Sequence, residues 1–128
     1  MTTRRPTPVQ GLYVLDADGR TPVLEENVTA WGEWFETGNR HVAKTQIGNL
    51  GHISTVFLGI DHAFFGGPPI LFETLGFLGL DEDEFFGRYS TWEEAEAGHW
   101  ARVKEALALV EQTAATVADT LVSEKVKS

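Results

Sequence analysis

Apolar and polar residues alternate along the chain with a period that changes several times, and each change marks an element. Three runs have strand character, "RHVAKTQIG", "HISTVFLGID" and "PILFETLGFL", separated by "NLG" and by "HAFFGGPP". The first connection is short enough for a hairpin. The second contains Gly66-Gly67-Pro68-Pro69, which fits neither a helix nor a central strand. The pattern predicts an antiparallel meander of three strands. A short strand over residues 12–15, in "GLYVL", is available as a fourth, with a turn over 16–19 behind it.

Two stretches carry the helical period. In "NVTAWGEWFETGN", Asn27 caps the start and Gly38 supplies a left-handed stop, while Val28, Trp31, Trp34 and Phe35 form one apolar stripe. The tryptophans are core anchors, since no basic cluster nearby would hold a nucleic-acid backbone. In "YSTWEEAEAGHW", Ser90 with Glu93 and Thr91 with Glu94 fit the capping-box pattern, and Glu93, Glu94 and Glu96 suit the positive end of a helix dipole. Trp100, Val103, Leu107, Val110, Ala114, Val117 and Leu121 then recur every three or four residues, a 3.5-residue seam. A helix from 92 to about 122 would be ~45 Å long. A domain of this size is only ~30 Å across. Such a helix either overhangs and pairs with another copy or frays near Ser123.

The predicted fold is therefore α+β: a three- to four-stranded antiparallel meander with a short helix in the N-terminal half and a long C-terminal helix packed on it. Residues 1–10 read as a flexible tail, 11–122 as one domain and 123–128 as a frayed end. "LDEDEFFGRY" reads as an acidic surface loop whose Phe85 and Phe86 tuck into the core.

Composition narrows the function classes. The 128 residues carry a net charge of −9, which disfavours direct binding to nucleic acid and suits a basic partner. With no cysteine there is no thiolate catalysis and no cysteine zinc site. "MTTRRPTPVQ" has no apolar segment behind its arginines, and no apolar run approaches ~18 residues. The expected location is the cytoplasm, away from membranes.

Candidate chemistry is sparse. Asp16-x-Asp18-Gly19 resembles the start of a calcium loop but lacks its later ligands. His41, His52, His62 and His99 have no metal-ligand spacing, and no phosphate-binding or nucleophile-elbow motif is present, so no metal, cofactor or catalytic group is assigned. If Ile60 faces Leu71 across the second connection, Glu73 lies opposite Leu58, and pairing across "NLG" places His41 on the other side of Leu58. Glu73 among leucine and phenylalanine can then act as a general acid or base with a histidine, or it is solvated or paired with Arg40. A one-residue slip would move these groups to the other face. Asp61 and His62 occupy a loop tip beside glycines, where ligands are often gated. His99 follows Gly98, a helical glycine that costs ~1 kcal/mol against alanine and so implies a close approach by a strand or ligand. Arg88 and Tyr89, just before the helix cap, offer a cation and a hydroxyl or neutralise the acidic residues nearby.

"WGEWFETGNRHVAKTQIG", "STVFLGIDHAF", "PPILFET" and "RYSTWEEAEAGH", in this order, resemble a family of small uncharacterised proteins encoded by phages and prophages. The resemblance covers roughly residues 12–101. It implies a mobile-element context and nothing about chemistry. The resulting expectation is a non-enzymatic accessory protein, homodimeric through its last helix, that binds a host or defence protein or a small molecule. Its site would combine Asp61, His62, Glu73, Arg88, Tyr89, His41 and His99. The alternatives are a small acid–base enzyme built on Glu73, and an acidic nucleic-acid mimic using residues 81–84 with Glu93, Glu94 and Glu96.

Overall fold

The computed structural model of the chain describes residues 11–79 and 84–127. Its elements run β1 (Tyr13–Leu15), β2 (Pro22–Leu24), α1 (Val28–Thr37), β3 (His41–Ile47), β4 (Gly51–Phe57), β5 (Phe72–Phe77), β6 (Glu84–Tyr89) and α2 (Trp92–Lys127). The expected α+β class holds. The meander has four antiparallel strands in the order β3-β4-β5-β6, and α2 lies across all of them. The tail placed at residues 1–10 and the acidic run 80–83 are outside the described residues.

Two strand assignments differ from expectation. The fourth strand is β6, which the sequence presents as an acidic loop. From Glu84 the chain pairs with β5, and Phe86 packs against Ile47, Ile53 and Val103. Glycines on both strands make the fit. Phe86 lies over Gly76, where a side chain would collide with its ring. The "GLYVL" segment, by contrast, never joins the meander. It pairs with β2 as a separate two-stranded ribbon and meets the larger sheet's connection through a single bridge, Leu12 to Ile60.

α1 starts as its sequence predicts, with Asn27 accepting a hydrogen bond from the Ala30 amide at 3.0 Å. Its stop is different. Gly38 is extended at φ −73°, so left-handed geometry is not what selects glycine there. A β-carbon at Gly38 would lie 2.7 Å from the Trp34 ring and from the Trp34 carbonyl, so the residue is glycine because tryptophan covers it. That ring then meets Phe57 edge-on at 5.7 Å.

The core lies between the sheet and α2. Phe57, Phe72, Leu71, Leu15 and Ala95 form its first part, with Trp34, Tyr89 and Trp92 around it, and Ile47, Ile53, Val103 and Ala106 form the second. The helix residues that face the sheet are Ala95, His99, Val103, Ala106 and Val110, at helical spacing. Only two of the seven seam residues are used in this way. Val103 is buried and Val110 half-buried, whereas Trp100, Leu107, Val117 and Leu121 are exposed. α2 is 36 residues long, or ~54 Å, and every residue from Glu111 to Val122 is exposed. It overhangs the sheet.

Candidate functional site

The register decides what the sheet brings together. Val56, not Leu58, sits between His41 and Glu73: His41 pairs with Val56, and Val56 with Glu73. The β4–β5 pairing is shifted by two residues from expectation, which preserves the face, and β3–β4 by one, made up to two at His41 by a bulge between His41 and Ala43. β6 extends the row, with Arg88 opposite Glu73. Arg88 Nε donates to Glu73 Oε2 at 2.7 Å. Glu73 therefore pairs with Arg88 rather than Arg40. Arg40 instead stacks over the Phe35 ring at 3.8 Å and donates to the Phe57 carbonyl. The His41–Val56–Glu73–Arg88 row lies on the sheet face away from α2, since Phe57, Phe72 and Thr74 take the face towards it.

His99 is on the other side of the sheet and completely buried. Its Nε2 is 2.8 Å from Thr45 Oγ1, and its Nδ1 is 2.8 Å from Thr55 Oγ1. Thr55 in turn lies 2.6 Å from Thr74 Oγ1. One helical histidine thus ties β3, β4 and β5 together through three hydroxyls. Burial lowers its pKa below the ordinary histidine value, so the neutral ring is the form the core accepts. A neutral imidazole donates from one nitrogen and accepts at the other, which the two flanking hydroxyls satisfy. His99 is a bolt in the core. It does not contribute to a surface site.

Tyr89 explains the helical glycine. Adjacent to Arg88 on β6, it turns to the opposite face and lays its ring against Gly98, where any β-carbon would overlap the phenol. The close approach implied by "AGHW" is that of a strand side chain. Tyr89 is thus packed against α2 and does not join Arg88.

Asp61 and His62 belong to the β4–β5 connection. Asp61 Oδ1 accepts from the amides of Ala63, at 2.7 Å, and Ile70, at 2.9 Å, closing the base of the loop. The His62 amide donates to the Ile70 carbonyl at 3.0 Å, and His62 Nδ1 lies 2.8 Å from the Ile60 carbonyl. At the tip, Gly66 and Gly67 adopt φ of +89° and +88°, a region glycine tolerates. Phe64 and Phe65 stand out from this tip, 74% and 104% exposed. In the sequence only their titratable neighbours Asp61 and His62 stand out as candidates.

The seven residues are therefore distributed over a sheet face (His41, Glu73, Arg88), a core junction (Tyr89, His99) and a loop base (Asp61, His62). Among the described residues, no three His, Asp or Glu side chains are grouped as a metal ion would require.

An apolar concavity lies elsewhere. A groove of about 530 Å³ lies between the end of the sheet and the start of the α2 overhang. Ile47, Leu50, Leu78 and Phe86 form one wall and Leu109, Val110 and Ala114 the other. Arg102 sits at its rim, held by the Phe86 carbonyl and Glu105, each at 3.0 Å. No signal in the sequence marked this groove, because its walls come from four elements separated in the chain.

Comparison with protein-family models, curated proteins and solved structures gives no match to this chain. No helix among the described residues is long and apolar enough to cross a membrane.

Proposed function

We propose that this chain is a non-enzymatic binding module of a phage or prophage, acting in the cytoplasm as a homo-oligomer assembled along α2. The observation that carries this is where the apolar surface lies. Trp100, Leu107, Leu109, Val117, Leu121 and Val122 are exposed on one helix that leaves the body of the domain, next to an apolar groove. A helical extension of this length is marginal by itself in water and gains stability by packing its apolar side. Exposed apolar surface of this extent is characteristic of protein contacts.

Support for binding over catalysis comes from the dispersal of the titratable groups. General acid–base chemistry needs two such groups within ~3 Å of one reacting atom. Here the Glu73 carboxylate accepts from Arg88, and the nearest histidine along the row, His41, is two strands away. A host or defence protein, or a small molecule, would be bound by the assembled form.

Light scattering on an eluting column, across a range of protein concentrations, tests the proposal. The expected result is an assembly larger than the 14.1 kDa chain. Val117→Glu with Leu121→Glu should dissociate it without unfolding, since both residues are exposed. A monomer at every concentration would remove the proposal.

A further inference from the structure

Two apolar features stay open among the described residues: the Phe64–Phe65 loop tip, whose Phe64 ring lies 5.6 Å from that of His62, and the groove beside the overhang. They lie at opposite ends of the sheet. The loop leaves β4 after Phe57 and enters β5 at Phe72, whereas the groove is bounded by Leu50 and Leu78, beyond the other ends of the same two strands. We infer that the two are halves of one contact, and that the Phe64–Phe65 loop of one copy seats in the groove of the next. The inference rests on the proposed self-assembly and identifies the part of the second copy that fills the groove.

The loop has the properties of an anchor. Leaving a large apolar side chain in water forgoes about 1.5–3 kcal/mol relative to burying it, and this loop does so twice in succession. Its shape is set in advance. Asp61 clamps the base, the His62 amide and the Gly66 amide close internal turns, and Pro68-Pro69 fix the return. Little conformational freedom is then lost on docking.

Charge favours the same pairing. The whole chain carries −9, so most surfaces of two copies repel. From His62 to Phe72 the loop contains no aspartate, glutamate, lysine or arginine. A neutral tip adds no like charge to a groove whose charged lining residues are Glu84, Arg102 and Glu105, and Arg102 is already held by Glu105 and the Phe86 carbonyl. A second copy is sufficient as occupant because both halves are present on one chain.

Size sets the strength. Two phenylalanines bury about 150–250 Å² each, so a single contact is smaller than the ~800 Å² per partner of a standard interface. One insertion is weak, and repetition holds the assembly. Knob and groove are different surfaces at opposite ends of the sheet, so two copies can exchange loops reciprocally about a two-fold axis, or each copy can pass its loop to the next in rings or open chains.

Complementation tests this. A loop variant, Phe64→Ser with Phe65→Ser, keeps its groove; a groove variant, Leu109→Glu, keeps its loop. All three positions are exposed, and thermal unfolding of each variant would confirm that it folds. The wild type is expected to form a dimer or a larger species, and each variant alone to be a monomer. An equimolar mixture of the two variants should give a 1:1 dimer and nothing larger, since only one loop and one groove remain usable. If the loop variant assembles like the wild type, copies meet through α2 alone; the inference falls and self-assembly stands. If both variants are monomeric and the mixture stays monomeric, the contact is not loop into groove and the inference falls again. A monomeric wild type removes both.

Discussion

His99 on α2 and Thr55 on β4 meet at 2.8 Å in a completely buried junction, so the helix is fixed to the sheet by a titratable group. This has a consequence for pH. Burial holds the folded-state pKa of His99 below the ordinary 6.5. As pH falls below 6.5 the unfolded chain takes up a proton that the folded chain refuses, so the unfolded state binds more protons and stability drops. The contribution is complete above pH 6.5 and is lost progressively from there down to the folded-state value. Urea unfolding between pH 8 and pH 5 should show a falling midpoint. His99→Gln should remove the part of that slope due to this residue. An unchanged slope in the variant would show that His99 does not sense pH.

Gly98 and Tyr89 give a prediction opposite in sign to helix propensity. Glycine to alanine in an exposed helix interior gains ~1 kcal/mol. Here the new methyl would enter the space of the Tyr89 ring, and overpacking of this kind costs about 1–3 kcal/mol. Gly98→Ala should destabilise the wild type yet stabilise a Tyr89→Ala background. Chemical denaturation of the four-member cycle measures the coupling directly. Alanine stabilising both backgrounds would mean that the ring moves away without cost.

Much of the fold was legible because local signals agreed with the tertiary outcome. The Asn27 cap, the start of α2 and strands β3 to β5 follow from period and capping alone. β6 was missed because an acidic run precedes it and because the glycines that admit Phe86 and Tyr89 are matched across the sheet and α2. The β4–β5 register differs from expectation by two, a slip that keeps each side chain on its face, whereas β3–β4 differs by one from Ala43 to Ile47 and by two at His41 because of a bulge that no sequence period marks. The site was least legible. Titratable residues carry the visible sequence signal, but His99 and Asp61 are consumed by structure, and Glu73 by Arg88. The surfaces left over are apolar, and a lone phenylalanine pair or groove wall has no sequence signature.

The Glu73–Arg88 pair should be energetically minor. The arginine side chain is 40% exposed and the glutamate 13%, so solvent screens the pair. Glu73→Gln is expected to change the unfolding free energy by about 0.2–1 kcal/mol. A loss of several kcal/mol would place the carboxylate in a drier setting than this sheet face provides, and would reopen acid–base chemistry at Glu73.

The overhang of α2 should be dispensable for folding and important for association. Removing residues 115–128 keeps the groove wall, which reaches Ala114, and takes away Val117, Leu121 and Val122. These residues are exposed, so at low protein concentration the thermal midpoint should match that of the full chain. A self-associating protein, however, unfolds at a higher temperature as its concentration rises, because association stabilises the folded state by mass action. The full chain should show that rise, and the shortened chain a smaller one. An equal rise in both would mean that the overhang is not part of the contact. A lower midpoint for the shortened chain even when dilute would mean that the overhang folds back onto its own domain, and the apolar side of α2 would then have its partner within the chain.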